Sequence, residues 1–149
     1  MSSLSQTASQ VRRDIVRMVH GVQSGHPGGS LGCADFVTAL YFKVMKHDPT
    51  FNMEGKGEDV FILSNGHISP LFYSVLARTG YFPLQELASF RKINSRLQGH
   101  PATHEHLPGV RIASGSLGQG MSVALGIAKA KKMDNDPQLV FSLHGDGEL

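Results

Sequence analysis

VFILSNGHISPLFYSVLARTG, Val60 to Gly80, is the stretch whose reading decides the fold. VFIL is a short, unbroken apolar run of the kind that forms a strand buried on both faces. It stops at SNGH. SPLFYSVLARTG then reads as a helix, with Ser69 as N-cap, Pro70 in the first turn and Gly80 as the stop. The second such strand is QLVFSL, Gln138 to Leu143, which runs into HGDGEL, His144 to Leu149. Strands that alternate with helices and open into glycine-rich loops predict an α/β domain with a parallel sheet flanked by helices. In such sheets ligands sit off the carboxyl ends of the strands, where SNGH and HGDGE both lie. Only two strands are convincing, so the sheet is expected to be partial.

Outward from Val60, the chain shows no repeat and no linker, which predicts one domain. A first helix is expected from Ser5 to Val22, with Val11, Ile15, Met18, Val19 and Val22 on one face. SGHPGGSLG breaks it. A second helix is expected from Ala34 to Met45, with Phe36, Val37, Leu40, Tyr41 and Val44 apolar. HDPTFNMEGKGED is a polar loop, PLQELASFRK a short helix, and Gly99 to Pro108 a loop. SGSLGQGMSVALGIAKAKK ends as a helix rich in Ala and Gly, Ser122 to Lys131, which is expected to be close-packed and buried. Lys129, Lys131 and Lys132 read as its polar end.

The 149 residues, 40% apolar, suffice for a real core. A net charge of +2 without a basic run argues against a nucleic-acid surface. No apolar run reaches membrane-spanning length, and MSSLSQTASQVRRDIV is not a secretory signal. The single Cys33 forms no internal disulfide, so a cytoplasmic protein is expected. Cys33 reads as a small buried residue rather than a reactive thiolate.

Glycine and histidine are the informative residue types, at 17 and 8. Three histidines, His26, His67 and His100, directly follow glycine, where chance predicts about one. Imidazoles held in glycine loops are suited to contacting a diphosphate, orienting a hydroxyl or moving a proton near neutral pH. SGSLGQG, a glycine-rich turn opening a helix, is a possible phosphate cradle, though it matches neither the dinucleotide fingerprint nor a Walker motif. Asp146, between glycines, offers one carboxylate to a divalent cation, or caps its own turn. HEH, His104 to His106, lacks a third ligand and reads as structural or exposed.

Five ordered pieces resemble the N-terminal, thiamine diphosphate-binding part of transketolases. They are SGHPGGSLG (Ser24–Gly32), ILSNGHISPLFYSVLARTGY (Ile62–Tyr81), LQGHP (Leu97–Pro101), SGSLGQGMSVALGIA (Ser114–Ala128) and GDGE (Gly145–Glu148). The likeness runs from about Val11 onward and looks closest to the N-terminal subunit of split transketolases or the same segment of a full-length one. It implies a cytoplasmic, dimeric transferase of the pentose phosphate pathway. Such an enzyme passes a two-carbon ketol group from a ketose phosphate, such as xylulose 5-phosphate, to an aldose phosphate, such as ribose 5-phosphate. Carried over by position, Asp146 is the ligand of Mg2+ (or Ca2+ or Mn2+), and His67 and Gly147 contact the diphosphate. His26 and His100 face the donor sugar and its proton transfers, and Gly115 and Leu117 lie against the cofactor's central rings. Ser116 stands where many members have proline, which is expected to loosen that loop.

The resemblance also implies that GDG opens a longer motif closing on an asparagine roughly 25–30 residues later, the two together holding the metal. A C-terminal half or subunit is expected to bring the pyrimidine-binding side and its activating glutamate, in a homodimer or heterotetramer. The 149 residues are therefore expected to be an N-terminal part of the diphosphate-binding domain, incomplete at the C-terminus and not competent alone. Exposed apolar surface is expected where that half packs, with Ser122 to Lys131 as the partner face. Two alternatives are a segment of 1-deoxy-xylulose-5-phosphate synthase and a non-catalytic, truncated dimerisation scaffold. GHP at His100, where the synthase typically has Gly-His-Gln, favours transketolase.

Overall fold

Helix α1 (Leu4–Val22) begins at a reciprocal cap. The Ser3 hydroxyl accepts from the Gln6 amide, and the Gln6 carboxamide accepts from the Ser3 amide. The computed structural model describes residues 3–149. The expected face of α1 buries Val11, Ile15 and Met18. The same face buries Asp14, which apolar periodicity passes over. Its carboxylate accepts from Ser74 Oγ (2.8 Å) and from Arg78 Nε and Nη2 (2.6 and 3.0 Å), tying α1 to the middle of the fold.

SGHPGGSLG does more than break the chain. Pro27 pre-sets the first turn of a short helix, α2 (Pro27–Gly32). The helix expected from Ala34 to Met45 is also corrected. Helix α3 (Ala34–Ala39) passes into one wide π turn, Leu40–Val44. There Met45 N donates to Leu40 O, leaving the Tyr41 carbonyl free to accept from His47 Nε2 at 3.0 Å. The wide turn buries Tyr41 against Phe61 and Phe72. Phe36 and Val44, two of the apolar residues of that segment, are more than half exposed.

Strand β1 (Val60–Leu63) pairs in parallel with β2 (Val140–Leu143), Val60 opposite Val140 and Leu63 opposite Leu143. Helix α4 (Ser69–Arg78) follows β1. Phe61 and Leu63 enter the main core with α1, α3 and α4, while Val60 and Ile62 face a smaller cluster with Ala124 and Ile127. Burial on both faces is why VFIL reads as an unbroken apolar run. The expected parallel sheet with helices on both faces is therefore present, with two strands among the described residues.

Helix α4 is the buried centre, covered from Ser69 to Ala77. Ser69 is not its N-cap. A 3-10 turn, Gly66–Ile68, feeds straight into the helix, so Ser69 lies inside the first turn and donates to Gly99 O at 2.7 Å. PLQELASFRK forms a 3-10 turn, Leu84–Ser89, rather than an α-helix.

Helix α5 (Gln119–Met133) contradicts the expectation of a fully buried helix. Its inner side, Gly120 and Ala124, packs on β1, while Val123, Leu125, Gly126 and Ala128 are exposed. Among the described residues α5 packs chiefly on the sheet, so its outer face has no cover. Lys131 is not a solvated helix end either. It is buried and donates to Gly55 O (2.7 Å), Glu58 O (2.9 Å) and Asp136 Oδ2 (2.7 Å), because α5 ends over a loop whose carbonyls face it. No helix among the described residues is long and apolar enough to cross a membrane.

Candidate functional site

The carboxyl end of β1 sets the site. Ser64, Asn65 and Gly66 turn the chain at once into the 3-10 turn that carries His67. Helix α2 packs on that turn so tightly that a Cβ on Gly29 would lie 2.8 Å from Ile68 Cγ2. This brings His26, the residue before α2, beside His67, with ring centroids 5.2 Å apart in an edge-on arrangement. Ser30 Oγ donates to His26 O (2.8 Å) and fixes that corner.

His100 arrives from the other side. Two α4 side chains hold the segment beneath it: Tyr73 Oη donates to Gln98 O (2.8 Å) and Ser69 Oγ to Gly99 O. The His100 side chain is exposed, yet desolvation by the protein around it lowers its pKa below the ordinary 6.5, and the Arg91 charge lowers it further, followed by His26 and His67. Arg91 lies directly behind Gly99, where a Cβ would come 2.6 Å from its Cζ. It donates to Ser24 Oγ at 3.0 Å, while its buried Nε has no partner. Desolvation and the Arg91 charge both favour the neutral form of the His100 imidazole.

The glycine-rich turn closes the cleft. Gly115 has φ +127, and a Cβ there would stand 2.5 Å from His100 Cδ2. Gly66 is equally tight, its virtual Cβ 2.6 Å from the Ser114 carbonyl carbon. His26 and His67 are therefore neighbours, and His100, held against Gly115, lies near enough for both to act on its ring electrostatically. Ser116 and Leu117 are exposed beyond it.

Asp146 and Gly147 are exposed on the adjacent 3-10 turn, Asp146–Glu148, after β2. The Glu148 carboxylate ties this turn to Ser64, three residues before His67. Among the described residues no group of three His, Cys, Asp or Glu is arranged for a metal. One carboxylate still fits a magnesium ion that takes its other oxygens from phosphate and water. His104 and His106 are exposed, as expected of a non-ligand HEH, and Cys33 is half-buried. A cavity of about 490 Å³ lies elsewhere, between α1 and the Leu84–Ser89 turn.

Sequence reasoning missed Gly66, Arg91 and Glu148. Gly66 was legible as the glycine of NGH. Arg91 and Glu148 act through partners 67 and 84 residues away, which no local pattern reveals.

Fold and site together define an α/β domain whose candidate ligand site lies at the carboxyl ends of parallel strands. The family described as "Transketolase, thiamine diphosphate binding domain" matches residues 3–139, and the chain belongs to it. The chain is 44% identical over 133 residues to a transketolase of Buchnera aphidicola, covering 89% of this chain and 20% of that protein. It is 37% identical over 147 residues to one of the subunits of an apulose-4-phosphate transketolase of Actinobacillus succinogenes, covering 98% of this chain and 52% of that relative. A transketolase structure from Leishmania mexicana superposes with a TM-score of 0.90 at 32% identity, over 99% of this chain and 23% of that one. The chain thus spans between about a fifth and a half of the length of these curated relatives.

Proposed function

We propose that residues 3–149 form the N-terminal part of the diphosphate-binding domain of a transketolase. The reaction is transfer of a two-carbon ketol group from a ketose phosphate to an aldose phosphate, with thiamine diphosphate and a divalent metal. The observation that carries this reading is the proximity of His26, His67 and His100, with Gly115 packed on His100.

Several features of the cleft fit the cofactor. Gly115 and Gly66 bring backbone close to the imidazoles, where a side chain would fill the space. Asn65 Oδ1 and Ser114 Oγ, in the loops flanking it, are buried without partners. When bound, thiamine diphosphate supplies the electron sink for breaking and making the carbon–carbon bond. His67 and the Gly147 amide would hold the diphosphate, Asp146 would be one metal ligand, and Gly115 and Leu117 would lie against the cofactor rings. His100, whose neutral form is favoured, would accept a proton from a sugar hydroxyl, with His26 orienting the same substrate.

A C-terminal half or partner subunit completes the site in this reading, supported by the relatives whose names mark them as one piece of a split transketolase. The exposed outer face of α5 suits that packing, in a homodimer or heterotetramer. A cytoplasmic location goes with this reading.

Calorimetric titration with thiamine diphosphate and magnesium tests the proposal. Binding that is lost on chelation and weakened at least tenfold by His67→Ala is expected. Undetectable binding by the intact protein would refute it. The rival synthase reading is separated by product: pyruvate with glyceraldehyde 3-phosphate would yield the deoxy sugar only if that reading held.

A further inference from the structure

We propose that Glu148 is a positioning residue, a single carboxylate that clamps together the three loops of the candidate site. The proposal rests on the reading of the cleft as a thiamine diphosphate site. Glu148 Oε1 accepts from Ser64 Oγ at 2.5 Å and from the Gly118 amide at 3.0 Å. Its Oε2 accepts from the Gly145 amide at 2.7 Å. Each donor belongs to a different working segment. Ser64 precedes His67 by three residues, Gly118 follows Gly115 by three, and Gly145 adjoins Asp146.

Among the described residues no other side chain in the region joins all three. The contact it secures is close: a Cβ on Gly120, at the start of α5, would lie 2.4 Å from Ser64 Cβ. Hydrogen bonds to an ionised acceptor are about twice as strong as neutral ones, so the three together resist separation of the loops. The chemistry also requires a carboxylate. Glutamine keeps one acceptor oxygen and turns an NH2 toward a donor, so at least one of the three bonds is lost and two N–H groups oppose each other. Aspartate is one methylene too short to reach both Ser64 and Gly145 from the same backbone.

The test compares wild type, Glu148→Gln and Ser64→Ala in the intact protein, by two independent measurements. NMR hydrogen exchange without ligand should show the Gly118 and Gly145 amides exchanging about tenfold faster in Glu148→Gln, with α4 amides unchanged. Magnesium thiamine diphosphate affinity should fall about tenfold in the same variant. Ser64→Ala, which removes one donor and keeps the carboxylate, should move both readouts in the same direction by less; it carries the test if Glu148→Gln fails to fold. Wild-type exchange rates in the variants would overturn the clamp. So would faster exchange with unchanged affinity, because the loops would then part without disturbing the site. Failure of the wild type to bind the cofactor would instead overturn the reading of the cleft, and exchange would still decide whether the three loops are joined.

Discussion

Replacing Gly66 by alanine should open the site without touching a histidine. Gly66 is buried and lies outside the left-handed backbone region, so alanine costs nothing in dihedral strain. The cost is contact. A Cβ would sit 2.6 Å from both the Ser114 carbonyl carbon and its Oγ, and 2.7 Å from Gly115 N. Optimal heavy-atom contacts lie near 3.5 Å, so the overlap is about 0.8 Å, and most of it falls on backbone that has no rotamer to change. The Ser114 loop is also anchored, since Ser114 N donates to Pro101 O at 3.1 Å. By this geometry it must shift as a unit by about 1 Å, carrying Gly115 away from His67 and into or off His100. Overpacking of this kind costs roughly 1–3 kcal/mol. A displacement near 1 Å at a reacting site can cost about 100-fold in rate. Urea denaturation should show the stability loss, and cofactor titration a weakening of at least tenfold. Gly32→Ala is the control, because nothing lies within 4 Å of its Cβ position in α2; it should be neutral or stabilising by about 0.5–1 kcal/mol. A Gly66→Ala protein with the wild-type urea midpoint and wild-type affinity would show that the two loops do not meet as described.

The other expectations concern protonation, the core and the open face. His100 should titrate below 6.5 by NMR, and Arg91→Met should raise its pKa; a wild-type value at or above 6.5 would contradict the placement of Arg91 behind it. Because the folded pKa is depressed, the unfolded chain takes up the proton first as pH falls. This contribution to stability is full above about pH 6.5 and lost below it, so His100→Gln should flatten the melting temperature between about pH 7 and 5. Asp14→Ala leaves Arg78 unpaired in the interior and should cost roughly 3 kcal/mol in chemical denaturation; a loss under about 1 kcal/mol would mean that the pair is solvated. Lys131→Met strands the Gly55 and Glu58 carbonyls and should lower the melting temperature by several degrees without altering the His100 titration. Leu125→Glu, on the exposed side of α5, should weaken association in sedimentation and leave the monomer's stability unchanged.

What the sequence could reveal follows from the range of the interactions. β1 was legible because strand burial on both faces writes itself as adjacent apolar residues. The three histidines were legible because each directly follows a glycine, and that pairing is local. Features whose cause lies far along the chain left no trace. Asp14 looks like an interruption of an apolar face until Ser74 and Arg78, 60 and 64 residues away, are placed against it. Lys131 looks like a solvated helix end until the Gly55 and Glu58 carbonyls fold under it. The π turn hides for a related reason: an apolar run long enough for one helix does not say that Tyr41 must swing inward to meet Phe61 and Phe72.

The same distinction separates two kinds of site residue. In the proposed reading His26, His67, His100 and Asp146 present chemistry, and their neighbours in sequence announce it. Gly66, Arg91 and Glu148 would govern where that chemistry points, and each has a contact far along the chain: Ser114, Ser24 and Ser64, which are 48, 67 and 84 residues away. A substitution among the first group should remove a function while the loops stay in place. A substitution among the second should leave every functional group present and misalign several at once. Double-variant cycles read the difference: Gly66→Ala combined with Glu148→Gln should be less than additive in cofactor affinity, because either change alone already parts the Ser64–His67 turn from the loops it meets.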